Sequence, residues 1–127
     1  MPKPVSLRPT PAELAILRVL WLRGPSTVRQ VQEELGENTG YTTALKLMQI
    51  MCEKGLLLRD DSARVHIFRP AHPAHKTQSH LVRDLIDRAF HGSAMKLVLR
   101  ALSEKKATPK ELAELRRWLD ENEKESK

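Results

Sequence analysis

Helix-start signals and glycine stops alternate through the first 55 residues, and this punctuation constrains the fold more than any other feature of the chain. Thr10-Pro11-Ala12-Glu13 opens a first helix: Thr10 caps, Pro11 suits the first helical position, and Glu13 returns as the other half of a capping box. Leu14, Leu17 and Trp21 follow at helical spacing, Ile16 and Leu20 widen the stripe, and Gly24-Pro25 ends it. Thr27-Val28-Arg29-Gln30 repeats the box with glutamine as the returning side chain. Val28, Val31 and Leu35 then mark one face of a shorter second helix that stops at Gly36. The polar turn Glu37-Asn38-Thr39-Gly40 leads to a third helix from Tyr41 to about Lys54. Gly55 closes it at the position past a helix end that favours glycine.

The hydrophobic period then changes. Leu56-Leu57-Leu58-Arg59 and Val65-His66-Ile67-Phe68-Arg69 are short β-compatible runs around the polar turn Asp60-Asp61-Ser62-Ala63-Arg64, which predicts a hairpin. Three helices and a hairpin, with a short turn between the second and third helices, describe a winged helix-turn-helix over residues 10–71. Residues 1–9, with three prolines and little periodicity, read as a flexible arm.

Beyond the hinge at Pro70 and Pro73 the pattern is helical throughout. A long helix spans about Lys76 to Phe90, and His91-Gly92-Ser93 breaks it. A short helix carries Leu97, Val98, Ala101 and Leu102. Thr108-Pro109-Lys110-Glu111 is a third capping box, opening a last helix with Leu112, Leu115, Trp118 and Leu119. Its charged end, Glu121 to Lys127, is expected to fray. The fold class is therefore mainly α: a winged helix-turn-helix domain with a small antiparallel β wing, then a three-helix dimerisation domain over residues 72–127.

Dimerisation follows from what this second domain lacks. A single core below about 70–80 residues rarely supplies more than roughly 3–5 kcal/mol. The one cysteine, Cys52, can form no intramolecular disulfide, and aromatics make up only 4% of the chain. The broad apolar stripes need another surface, and a second copy is the simplest one, since two-fold pairs are the commonest oligomers. Leu81, Leu85, Phe90, Leu97, Leu112, Leu115, Trp118 and Leu119 are the expected interface. A core shared only with the first domain is the alternative.

The net charge is +6, and residues 1–76 hold 11 Lys/Arg against 7 Asp/Glu. Such an excess matters where the charges share one surface. In a helix-turn-helix the second helix of the motif enters the major groove by its N-terminal end. Here that end is Tyr41-Thr42-Thr43-Ala44-Leu45-Lys46, with two hydroxyls and, one turn on, an ammonium on the same face. Arg29 and Gln30 at the start of the second helix can reach phosphates, and Arg59, Arg64 and Arg69 lie on the wing, with Arg64 nearest its tip. The plainer reading makes the threonines helix caps and the arginines solvated charges. A winged helix used as a protein-interaction module, without specific DNA binding, is the functional alternative.

Other classes find little support. No glycine-rich phosphate loop, paired carboxylates or nucleophile with a base marks an enzyme. His72, His75, His80 and His91 lack the regular spacing of a zinc site, so neither a metal nor a cofactor is expected. Cys52 sits among apolar residues of the third helix and reads as a core thiol. No apolar run approaches the roughly 20 residues that span a bilayer, and the start has no signal-peptide pattern, so a cytoplasmic, nucleoid-associated protein without membrane insertion is expected.

The chain also resembles the penicillinase and methicillin-resistance repressors of the Bla/Mec type. The matching text is Glu13 through Trp21, Gly24-Pro25-Ser26-Thr27-Val28-Arg29, Tyr41-Thr42-Thr43, Glu53-Lys54-Gly55-Leu56 and Gly92-Ser93, within roughly residues 7–120. The resemblance implies a dimeric repressor whose winged helices bind two half-sites of a TACA/TGTA-type palindrome and whose C-terminal helices swap around each other. It implies DNA contacts from Thr42, Thr43 and Lys46, with the wing around Arg64. In some members a membrane sensor and protease system relieves repression by cleavage in the penultimate helix. The corresponding Leu97-Val98-Leu99-Arg100-Ala101-Leu102 lacks the Asn-Phe pair of those members, which leaves a proteolytic switch open. The C-terminal cysteines of copper-responsive relatives are absent, and Ile50 stands where many relatives place arginine.

Overall fold

The computed structural model describes residues 8–125, so the expected arm lies outside the described residues except for Arg8 and Pro9. The elements are α1 (Pro11–Arg23), α2 (Val28–Leu35), α3 (Tyr41–Glu53), β1 (Leu57–Asp60), β2 (Ile67–Pro70), α4 (Ala74–Ala89), α5 (Ala94–Glu104) and α6 (Pro109–Glu125). Three helices, a two-stranded antiparallel wing and three further helices make the mainly α, winged helix-turn-helix architecture expected from the sequence.

Local chemistry starts the first helices where the text places them. Glu13 N donates to Thr10 Oγ1 at 3.2 Å while Thr10 N donates to Glu13 Oε1 at 2.9 Å. Thr27 and Gln30 close the same reciprocal pair at 3.1 and 2.9 Å. Each box satisfies two of the backbone donors that a helix start leaves orphaned. The end of α3 is a Schellman motif. Gly55, at φ 82°, donates to Cys52 O at 3.1 Å, and Leu56 N donates to Met51 O at 2.8 Å. Met51 and Leu56 are both buried, so this turn delivers the chain from the core side of α3 into β1.

The first unit has a compact core. Ile16, Leu17 and Leu20 of α1 pack with Val28 and Val31 of α2, Ala44, Met48 and Met51 of α3, Leu56 of the turn after it, and Leu57 and Phe68 of the wing. Burying each large apolar side chain is worth about 1.5–3 kcal/mol. The wing pairs Leu57 with Pro70, Leu58 with Arg69, Arg59 with Phe68 and Asp60 with Ile67. Its strands are offset from the apolar runs, β1 by one residue and β2 by two at its start. Leu56 belongs to the turn just described, and Val65, 57% exposed, stays in the loop. A feature absent from the sequence reading is the bridge on the other side of β2. Ser26 N donates to Phe68 O at 3.0 Å and Phe68 N to Ser26 O at 2.8 Å, which fastens the wing to the α1–α2 turn.

The chain divides into two compact units, Met1–Arg83 and Asp84–Lys127, with the division inside α4. In the second unit Ser93 caps α5, accepting from Lys96 N at 3.1 Å, and Thr108 and Glu111 form the third capping box. The last helix does not fray at Glu121. It continues to Glu125, helped by Asn122 Nδ2 donating to Trp118 O at 2.8 Å and by Lys124 in the final turn, where a cation suits the helix dipole. No residue of α5 is buried. Leu99 is 60% exposed and Trp118 59%, and Met95, Val98, Leu102, Leu112 and Leu119 of the same two helices are exposed as well. Among the described residues no helix is long and apolar enough to cross a membrane.

Candidate nucleic-acid interface

The third helix presents two faces with opposite roles. Ala44, Met48 and Met51 are buried, while Thr42, Thr43, Lys46 and Gln49 are exposed. Thr42, Lys46 and Gln49 recur at four and three residues, which places them along one solvent-facing stripe. Gly40 is the N-cap and makes no side-chain cap bond, so the threonine hydroxyls are not the caps the plainer reading proposed. The N-terminal end of α3 therefore offers backbone donors, two hydroxyls and an ammonium to an approaching anionic polymer.

Beside it lies a cleft of about 600 Å³ between the starts of α2 and α3 and the wing, lined by Arg29, Tyr41, Gln49, Arg59, Arg64 and His66 among others. The Arg29 guanidinium stands 5.3 Å from the Tyr41 ring centroid, a cation–π distance that couples the two helix starts. Arg59 reaches the cleft because it pairs with Phe68 across the hairpin and so shares its face. Arg69, one residue on from Phe68, points to the opposite face with Leu58. Of the three wing arginines, then, the structure brings Arg59 and Arg64 together and leaves Arg69 apart. Gln30 is half-buried, and its side-chain oxygen is engaged in the α2 cap.

Two cleft residues escaped the sequence reading. Gln49 was legible as the next position after Lys46 on the exposed stripe of α3. His66 carried no such signal, because its place depends on where the wing loop folds.

The remaining sequence candidates resolve as follows. Cys52 is half-buried against the core, and burial pushes its thiol pKa up, with Asp61 and Glu53 adding to the rise and Arg59 opposing it. A thiol kept protonated is a poor nucleophile. His72 is half-buried with an unpartnered Nε2, while His75, His80 and His91 are exposed. Among the described residues no group of three or more His, Cys, Asp or Glu is placed to hold a metal ion. Of the expected interface residues, Leu85, Leu112, Trp118 and Leu119 are exposed, and Leu81, Phe90, Leu97 and Leu115 are half-buried.

Comparison with known proteins bears on this arrangement. Two curated relatives, each named transcriptional regulator BlaI and from two strains of Mycobacterium tuberculosis, are 34% identical over 80 residues, which is 61% of this chain and 58% of each relative. The chain thus spans less than two thirds of the relatives' length. A solution structure of monomeric Bacillus licheniformis BlaI in complex with the blaP half-operator is 21% identical, with a TM-score of 0.48 over 57% of this chain and 90% of that one. The penicillinase repressor family matches residues 9–121, nearly the full chain, and it is a family of repressors rather than enzymes. By that match the chain belongs to the penicillinase repressor family.

Proposed function

We propose that this protein is a DNA-binding transcriptional repressor that acts as a homodimer on a palindromic TACA/TGTA-type operator. The observation that carries this reading is the exposed stripe Thr42, Lys46 and Gln49 on α3 beside a cleft lined by Arg29, Arg59 and Arg64. Groups suited to base edges and groups suited to phosphates lie side by side, as sequence-specific binding requires. Residues 10–71 form the DNA-binding part and residues 72–127 the dimerisation part. The exposed apolar side chains of α5 and α6, Met95, Val98, Leu99, Leu102, Leu112, Trp118 and Leu119, support a second copy as the covering surface, since large exposed apolar patches mark interaction sites. Operator DNA and a second copy are the partners of this reading, in the cytoplasm. A membrane sensor with its protease enters only through the family, and the cleaved members' Asn-Phe pair is missing from Leu97–Leu102.

Fluorescence anisotropy with a TACA/TGTA palindrome and a scrambled duplex, over a series of salt concentrations, tests the reading. A dimer neutralising about 6–10 phosphates loses roughly 10³–10⁵ in affinity between 50 and 200 mM salt. Preference for the palindrome with that dependence supports the repressor. Equal binding to both duplexes removes the operator but keeps DNA, and no binding at low salt leaves a protein-interaction module.

A further inference from the structure

Arg59 stands between two clefts. Gln49 and Arg59 line both the cleft described above and a second depression walled by Cys52, Glu53, Leu58 and Asp61. On that second side Asp61 Oδ1 lies 2.7 Å from Arg59 Nε and 3.6 Å from His66 Nδ1. The wing arginine that lines both clefts is therefore already held, in the free protein, by a carboxylate of the same wing. Its neighbour Asp60 is not equivalent, because its oxygen accepts from Ser62 N at 2.9 Å and shapes the turn.

The grip is a loose one. Arg59, Asp61 and His66 are 43%, 50% and 49% exposed, and solvent-screened pairs of this kind contribute little to stability. A phosphate group presents paired oxygens to a guanidinium and competes well against a single carboxylate contact. Arg29 and Arg64 line the same cleft, so a phosphate entering it finds three arginines along its walls.

We propose that this cleft seats one phosphate group and that Asp61 is the internal anion it displaces: the carboxylate holds Arg59 in the free protein, with His66 beside it, and the phosphate takes Arg59 over on binding. The inference rests on the DNA reading for the phosphate's source, and free inorganic phosphate shares the chemistry. Because the phosphate takes Arg59 only by breaking this contact, Asp61 competes with it and lowers the affinity.

A double-mutant cycle on the full chain tests this. Wild type, Asp61→Asn, Arg59→Gln and the double variant are compared by anisotropy with the palindromic and scrambled duplexes. All the changed side chains are half-exposed, and melting curves check that the fold is kept. Asp61→Asn is expected to tighten binding to both duplexes alike, by roughly two- to fivefold, because phosphates carry no sequence information. The gain is expected to vanish when Arg59→Gln is already present. No gain, or the same gain in both backgrounds, overturns the proposal while leaving DNA binding intact, since Asp61 then acts at most as a distant charge.

A second arm titrates inorganic phosphate and follows the ¹⁵N signals of Arg59 Nε and the His66 ring. If wild type binds no duplex, the DNA reading fails and this arm alone decides. Saturable shifts that tighten in Asp61→Asn keep the seat and assign it to free phosphate, and absent shifts overturn it. With duplex binding and the cycle as expected, silence toward free phosphate assigns the seat to the DNA backbone.

Discussion

Lys54 Nζ lies 2.8 Å from Oε2 of Glu13, a residue 41 positions earlier in the chain. The contact joins the first turn of α1 to the residue that caps the end of α3. Glu13 is 2% exposed, and its other carboxylate oxygen accepts from Thr10 N. One side chain thus closes a helix cap and ties the end of α3 to the start of α1.

Lys54→Met removes the partner of a buried carboxylate. Orphaning a buried charge costs several kcal/mol, but Lys54 itself is 39% exposed and water reaches the site, so about 1–2 kcal/mol is expected. Urea unfolding measures it. An unchanged midpoint would show that water replaces the ammonium without loss.

The same carboxyl makes stability depend on pH. Burial raises the Glu13 pKa, but the hydrogen bond from Lys54, those at Thr10 and the Lys54 charge outweigh it, and the net value falls below the ordinary 4.5. A depressed folded pKa means that the unfolded chain takes up the proton first as pH falls. The stabilisation is therefore complete above pH 4.5 and is lost as pH drops through the lowered folded value. The stability gap between wild type and Glu13→Gln, measured by urea unfolding, should be constant at neutral pH and shrink below pH 4.5. A gap that stays constant into acid would assign the stabilisation to another group.

Lys46→Ala removes an exposed ammonium from the solvent-facing stripe of α3 without touching the core. The melting temperature should not change. If Lys46 meets a phosphate, DNA affinity should fall on every duplex, with a salt slope shallower by about 1 per site. A weakening confined to the palindrome would make it a base contact instead, and equal binding by the variant would place the interface elsewhere.

Leu115→Asp puts a charge at the half-buried position of the otherwise exposed apolar stripe of α6. If α5 and α6 pair with a second copy, the variant should sediment as a monomer, since a charge moved out of water without a partner is strongly disfavoured. Circular dichroism separates loss of pairing from loss of helix. A variant that remains a dimer locates the interface on another face.

Much of the fold was legible because its signals are local. A capping box acts over three residues, a Schellman glycine over five, and both work whatever surrounds them. Thr10, Thr27 and Thr108 accordingly start helices where they were expected to. The end of α6 departed from expectation because composition alone suggested fraying, while Asn122 and Lys124 supply local support for another turn. The candidate site was legible along α3 for Thr42 and Lys46, whose exposed stripe the structure extends to Gln49. It was less so on the wing, where the strand boundaries moved and Arg69 turned away from the cleft.

The sequence by itself determined the order of elements, the buried and exposed faces of the first three helices and the residues able to meet an anion. Tertiary structure alone decided the Glu13–Lys54 pair, the Ser26–Phe68 bridge that fastens the wing, and the grip of Asp61 on Arg59. The reason is physical. Periodicity and caps are set by backbone geometry within one or two turns, whereas these contacts depend on distances between elements that only the packed core establishes. A charge in the text has a sign, and its partner is known only once the fold has placed the neighbours.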